Sequence, residues 1–167
     1  AMINAPDVLL SYQPVGPKAK RFLELTKKYT ATNFSCLIDN SKSAEELSNI
    51  FQSAKLFLNV FIDINSGMNR TGIEPLDAFV LFEFTNMLHS LKVIGLHSYD
   101  GHVRDTDFSL RTSNADKAFE NIIDLAEAIE KVSNRKMTIV VGGSPTFPVH
   151  AKRKNVECSP GTFIFWD

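Results

Sequence analysis

Cysteine is scarce: the 167 residues hold only Cys36 and Cys158. The two are far apart and share no metal-ligand spacing, so they read as two buried thiols in a reducing cytoplasm. A surplus of either charge is also missing. Eighteen Lys and Arg face nineteen Asp and Glu, for a net charge of -1. No basic field attracts nucleic acid, and no like-charge block marks a tail. Long apolar runs are lacking too. The strongest candidate, Ala78–Phe84 (AFVLFEF), contains Glu83 and is far too short to span a bilayer, so no membrane role is expected. The N-terminus has no basic segment followed by an apolar run, and no secretory signal is read there. There is no internal repeat, low-complexity tract or domain linker. The length fits one domain, 1–167, with a sizeable core.

What is present is alternation. Val8–Ser11, Phe34–Ile38, Phe57–Ile62, Val93–His97, Met137–Val141 and Thr162–Trp166 are short and apolar, as strands buried on both faces are. Between them lie helical patterns. Lys18–Tyr29 gathers Ala19, Phe22, Leu23 and Thr26 on one face. Ser43 with Glu46 forms a capping-box pattern ahead of a stripe of Ala44, Leu47, Ile50, Phe51 and Ala54. Pro75 suits a helix start, and Leu76–Leu88 is apolar enough for a well-buried helix. Ala115–Val132 repeats its apolar residues at three and four. Alternating strands and helices imply an α/β fold, with parallel strands joined by right-handed helical crossovers. The pattern does not separate an open doubly wound sheet from a closed (β/α) barrel.

The chain is organised around Phe57–Ile73 (FLNVFIDINSGMNRTGI). A buried strand runs into a polar cluster from Asp63 to Arg70. Gly67 permits a tight turn or a close backbone approach, and Arg70 brings a forked cation. Read alone, this is either a ligand-facing loop or a solvated turn. Gly142-Gly143-Ser144 directly follows MTIVV. There, successive backbone N–H groups with the Ser144 and Thr146 hydroxyls could form a phosphate nest, or an ordinary glycine turn. His97, Tyr99 and His102 stand at or just past the end of VIGLH, where a tyrosine can stack on an aromatic ring and a histidine can move protons. Their spacing is not that of metal ligands. His89 and His150 have no motif around them.

Three stretches together carry a resemblance. VFIDINSGMNRTGI, then GLHSYDGH (Gly95–His102), then VGGSPTF (Val141–Phe147) with ECSPGTFIFWD (Glu157–Asp167) occur in the order found in fold-type III pyridoxal-phosphate enzymes. These are the alanine racemase-like barrels, and the chain is most similar to their D-threonine aldolase and D-serine dehydratase branch. The resemblance selects a TIM-type barrel. It matches the six strands to strands 3 to 8, with the first two strands and a C-terminal β domain absent.

The resemblance implies pyridoxal 5'-phosphate as cofactor and a small amino-acid substrate. The implied reaction is retro-aldol cleavage or dehydration of a D-β-hydroxy amino acid. A racemase of the same fold is the alternative, as is a non-catalytic carrier or homeostasis protein for the cofactor. By resemblance, Arg70, His97, Tyr99, Gly143, Ser144 and Thr146 bind cofactor, while Tyr99 and His102 are catalytic, with His102 on the substrate side. No metal ligand is assigned in this chain, and a divalent metal is expected only in the absent C-terminal domain. A homodimer is the assembly that the resemblance allows. The family's Schiff-base lysine stands on the first barrel strand, and no matching motif occurs here. Lys55 and Lys92 precede their strands, while Lys18 and Lys20 begin a helix. The expectation is therefore an enzyme whose lysine lies outside this segment.

Overall fold

The computed structural model describes residues 5–161. Its elements alternate as expected: β1 (Asp7–Leu10), α1 (Pro17–Lys28), β2 (Asn33–Ile38), α2 (Ser41–Ser53), β3 (Leu58–Ile64), α3 (Pro75–Asn86), β4 (Leu91–Ser98), α4 (Phe108–Ser133), β5 (Thr138–Val141), α5 (Phe147–His150) and β6 (Val156–Cys158). The six strands form one parallel sheet in the order β1-β2-β3-β4-β5-β6 with helical crossovers, which is the topology of a partial TIM-type barrel. Sequential order is what separates this sheet from a doubly wound one, whose order reverses at a switch point. Among the described residues, no helix is long and apolar enough to cross a membrane.

The chain divides into two compact units: residues up to Ile62 with Val80–Ile94, and Asp63–Phe79 with Gly95 onward. In the first, β1 pairs with β2 from Asp7↔Asn33 to Leu10↔Cys36, and β2 pairs with β3 from Ser35↔Asn59 to Ile38↔Ile62. Ala19, Phe22 and Leu23 of α1 are buried with Ala44, Leu47 and Phe51 of α2, and the Phe22 ring meets Phe34 edge-on at 6.1 Å. In the second unit, β4 pairs with β5 from Gly95↔Thr138 to Ser98↔Val141, and β5 with β6 from Ile139↔Val156 to Val141↔Cys158. Helix α4 buries Ala115, Phe119, Ile122, Leu125, Ala126 and Ile129, the stripe its periodicity specifies.

Several boundaries differ from the expectation, each for a local reason. Phe57 precedes β3 and is 79% exposed, whereas Asp63 and Ile64 belong to the strand and are buried. The cap of α2 is Asn40, whose side chain accepts the Ser43 N–H at 2.8 Å; Glu46 instead accepts the Gly16 N–H at 3.1 Å. Asn40 has the extended backbone that a cap requires, and it lies upstream of the Ser43–Glu46 pattern. In α3, Ala78, Leu81 and Phe82 are buried, but Leu76 and Val80 are 92% and 64% exposed, so the helix is not buried all round. Helix α4 begins at Phe108 because Asp107 accepts the Leu110 N–H at 2.7 Å. Its first two turns carry no apolar stripe and give no periodic signal. Cys36 is buried, and burial pushes its thiol pKa up, but Cys158 is only half-buried. Strand β6 and the single turn α5 carry no pattern that marked them beforehand. The expected strand Thr162–Trp166 lies outside the described residues.

Candidate functional site

The second unit holds the segments that follow β3, β4 and β5, and every proposed site residue lies in it. The loop after β3 is built by Asn65. Its Oδ1 accepts the N–H groups of Gly67 (3.1 Å) and Asn69 (3.0 Å), while its Nδ2 donates to Asn69 Oδ1 (2.8 Å) and Glu74 Oε1 (2.7 Å). The loop then returns onto the strand end. Ile73 bridges Ile64 in parallel, with Asn65 N donating to Ile73 O and Ile73 N to Asp63 O, both at 2.9 Å. Gly72 makes the return possible, since a Cβ there would lie 2.6 Å from Asn65 N at a φ of +97°. Thus a short asparagine, not the arginine, fixes where Arg70 is presented.

Arg70 is exposed, and its guanidinium carbon lies 4.6 Å from the centroid of the half-buried Tyr99 ring. This is cation–π distance, and it gives the end of β3 and the segment after β4 a shared cationic, aromatic face. Beneath it, His97 Nδ1 lies 2.7 Å from Asp63 Oδ1, with both side chains buried. The carboxylate holds the proton on Nδ1 and leaves Nε2 as the nitrogen able to meet a ligand. Ser98 Oγ donates to Ile64 O at 3.2 Å, a further tie between the ends of β3 and β4.

The glycine turn after β5 is held differently from a simple nest. Gly142 N continues the ladder to Ser98 O at 3.1 Å. Gly143 N donates to Asp100 Oδ1 at 2.9 Å and to Thr146 Oγ1 at 3.1 Å, while Thr146 Oγ1 donates to Asp100 Oδ1 at 2.6 Å. Asp100 Oδ2 lies 2.8 Å from His150 Nε2. Asp100, Thr146 and His150 are all at most 2% exposed. Burial alone would raise the Asp100 carboxyl, but the hydrogen bonds from His150 and Thr146, the electrostatic attraction of His150 and the bond from the Gly143 amide together outweigh it and hold the pKa below its ordinary value. In this geometry the Gly143 amide and the Thr146 hydroxyl face a carboxylate rather than an open cradle. A Cβ on Gly143 would meet Tyr99 Cε2 at 3.1 Å, so the glycine serves close approach of the turn to the Tyr99 ring. Ser144 is half-buried in the same turn.

His102 faces another opening. It is exposed against Gly67, where a Cβ would sit 2.9 Å from its Nε2. There it lines a groove of about 720 Å³ with Asn65, Glu74, Arg104, Asp105 and Lys117. Arg70 and Tyr99 instead line a much smaller cleft with Asp63, Met68 and Thr71. The structure therefore brings together Arg70 with Tyr99, and Gly143 with Tyr99 and Thr146, but sets His102 on a separate groove. Asp63, Asn65, Asp100 and His150 were not singled out in the sequence. For Asp63 and Asp100 the one available signal was adjacency to the strand ends.

Two groups that the resemblance implies can be tested against these residues. Every lysine from Lys18 to Lys154 is exposed, and no group of three or more His, Cys, Asp or Glu gathers as a metal site among the described residues. The donor set of Arg70, the Tyr99 ring and a His97 oriented by Asp63 fits a flat, anionic, aromatic group such as pyridoxal phosphate.

Residues 9–167 match the family model described as the N-terminal domain of alanine racemase. Among solved structures, D-threonine aldolase from Filomicrobium marinum superposes with a TM-score of 0.85 at 26% identity, covering 95% of this chain and 43% of that one. D-threo-3-hydroxyaspartate dehydratase from Delftia sp. HT23 gives 0.81 at 18% identity, covering 99% and 44%. Alanine racemase from Clostridium difficile 630, in complex with cycloserine, gives 0.72 at 16%, covering 94% and 40%. The chain thus spans less than half the length of each. No curated protein matches it. With a family model that matches residues 9–167 and a parallel sheet of sequential strand order, this chain belongs to the alanine racemase N-terminal domain family of fold-type III pyridoxal-phosphate enzymes.

Proposed function

We propose that this chain is the cofactor-binding barrel segment of a pyridoxal-phosphate enzyme that acts on a D-β-hydroxy amino acid, by retro-aldol cleavage or by loss of water. The observation that carries the reading is the likeness to D-threonine aldolase over 95% of the chain, together with the Arg70–Tyr99 face at the ends of β3 and β4. When bound, pyridoxal phosphate supplies an electron sink for bonds at the amino-acid α-carbon. The residues here do the rest. Arg70 provides positive charge beside the ring that Tyr99 presents, and His97 offers Nε2 while Asp63 fixes its Nδ1–H. The turn Gly142–Thr146, with Ser144, closes the wall on the β5 side. His102, in the neighbouring groove, is the proton-transfer candidate on the substrate side.

The lysine needed to hold the cofactor covalently must be desolvated and close to it. Every lysine of this chain is exposed, so that role belongs to another part of the whole protein. The test uses the protein encoded by the full reading frame, supplied with pyridoxal phosphate and D-threonine. Glycine and acetaldehyde as products support aldol cleavage, and 2-oxobutanoate with ammonia supports dehydration. L-allo-Threonine without fragmentation, the product of inversion at the α-carbon alone, would replace the lyase reading by a racemase. A protein that binds the cofactor and turns over no amino acid would favour the carrier reading.

A further inference from the structure

A deeply buried polar cluster of the second unit lies behind the glycine turn, and two of its members, Asp100 and His150, have no part in the reading above. Asp100 is 2% exposed, His150 1% and Thr146 0%. Both carboxylate oxygens of Asp100 and both ring nitrogens of His150 have definite roles. Asp100 Oδ1 accepts from the Gly143 amide and from Thr146 Oγ1, and Oδ2 faces His150 Nε2. On the far side of the imidazole, Arg153 Nε lies 3.0 Å from His150 Nδ1. A guanidinium N–H can only donate, so Nδ1 must be the acceptor and the ring proton must sit on Nε2, pointing at Asp100. Arg153 is itself placed by Asp116, which accepts from its Nη2, and by the Phe119 ring 4.3 Å from its Cζ. Directional bonds thus run from the α4 surface, through the segment after β5, to the backbone of the glycine turn.

We propose that Asp100, with its donor pattern set by His150, is the positioning residue of the cofactor wall. It holds the Gly143 amide inward and so seats the glycine turn against the Tyr99 ring, acting through Gly143 rather than by touching cofactor. The contact it enforces is visible at Gly143, where even a Cβ would meet Tyr99 at 3.1 Å and Gly101 at 3.4 Å. The same ring carries Arg70. Loosening the clamp therefore shifts the turn and the ring together. This inference rests on the cofactor reading above for its functional meaning.

The donor logic provides a test that a purely space-filling role would not pass. Asp100→Asn keeps shape and volume but leaves one acceptor oxygen for two sets of donors: given to the His150 Nε2–H, that oxygen leaves the NH2 facing the Gly143 N–H, and given to Gly143 it leaves the NH2 facing His150. Moving the ring proton to Nδ1 would only transfer the conflict to Arg153. His150→Gln keeps an NH2 donor for the carboxylate. The double variant Asp100→Asn/His150→Gln restores a complementary pair, because the glutamine amide can turn its oxygen toward the asparagine. In the full-length protein, hydrogen exchange at the Gly143 amide and the Kd for pyridoxal phosphate are measured well below each variant's Tm. We expect Gly143 protection in the wild type and in His150→Gln, its loss in Asp100→Asn, and its recovery in the double variant. The Kd should rise roughly tenfold in Asp100→Asn and return toward wild type in the double variant. Unchanged protection and Kd in Asp100→Asn, or a double variant no better than Asp100→Asn, would overturn the proposal. A wild-type protein that binds no pyridoxal phosphate but shows the expected exchange pattern would remove the cofactor reading and leave the clamp standing.

Discussion

Asp63 Oδ1 lies 2.7 Å from His97 Nδ1 across the ends of β3 and β4, and both side chains are buried. A polar pair at that depth contributes net stability only while each partner satisfies the other. Asp63→Asn keeps an acceptor oxygen for the Nδ1–H and should cost about 1 kcal/mol. Asp63→Ala leaves a buried ring nitrogen unpaired and should cost about 1–3 kcal/mol. Urea unfolding midpoints decide between them. If the alanine variant is as stable as the asparagine one, His97 is not held by this carboxylate.

Arg70 makes the opposite case, since it is exposed and stacked rather than buried. Arg70→Ala should change stability by no more than about 1 kcal/mol. In the full-length protein it should nevertheless weaken binding of pyridoxal phosphate. Arg70→Lys keeps the charge but loses the planar stack, and should fall between the two. Cofactor titrations run beside thermal melts separate the effects. Wild-type affinity in Arg70→Ala would make the arginine a surface residue.

These two residues also show where the sequence was legible. Short apolar runs located β1 to β5, and periodicity located the buried stripe of α4, because burial imposes both directly. Gly67 and Arg70 after an apolar strand drew attention to the segment as a ligand-facing loop or a solvated turn, but the residue that builds it, Asn65, gave no signal of its own. What periodicity could not reveal was pairing between residues distant in sequence. Asp63 reads as the first polar residue after a strand, yet it is the last but one residue within it, made tolerable there by His97 34 positions away. Asp100 and His150 are 50 positions apart, and neither was given a role, although Asp100 lies within GLHSYDGH. The glycine turn looked like an anion nest because local sequence shows its N–H groups but not the carboxylate that receives one of them. The early start of α4 was hidden for a different reason: a cap, not an apolar stripe, supports its first turns.

Glycines at 67 and 72 should differ in how they fail. Both have positive φ, +116° and +97°, so alanine at either is strained by on the order of 1–3 kcal/mol. At Gly72 the new Cβ would also meet backbone, Asn65 N at 2.6 Å and Ile64 C at 2.7 Å, which cannot move without breaking the Ile64–Ile73 bridge. At Gly67 it would meet only the tip of the His102 ring, which is exposed and can turn away. Gly72→Ala should therefore lose more stability, while Gly67→Ala should mainly shift the His102 ring resonances. Equal Tm losses in the two variants would contradict this account of the loop.

Asp100 should leave a signature in the pH dependence of stability. Its folded-state pKa is lowered from the ordinary value of 3.8: burial acts to raise it, and the hydrogen bonds from His150 and Thr146, the electrostatic attraction of His150 and the Gly143 amide together outweigh that. Between the lowered folded value and the ordinary one, the unfolded chain binds more protons than the folded chain, so stability falls as the pH falls. The contribution is fully present above the ordinary carboxyl range and is lost as the pH drops through the folded value. Asp100→Asn removes the titrating group. Its loss of the His150 bond lowers stability by an offset that does not depend on carboxyl ionisation. Unfolding free energies from urea titrations at successive pH values from neutrality downward should therefore diverge between the proteins at neutral pH and converge in acid. The other carboxylates are common to both proteins and cancel in the difference. A difference that stays constant down through the acid range would mean that Asp100 ionises as an ordinary carboxyl, and that the bonds converging on it do not hold its charge.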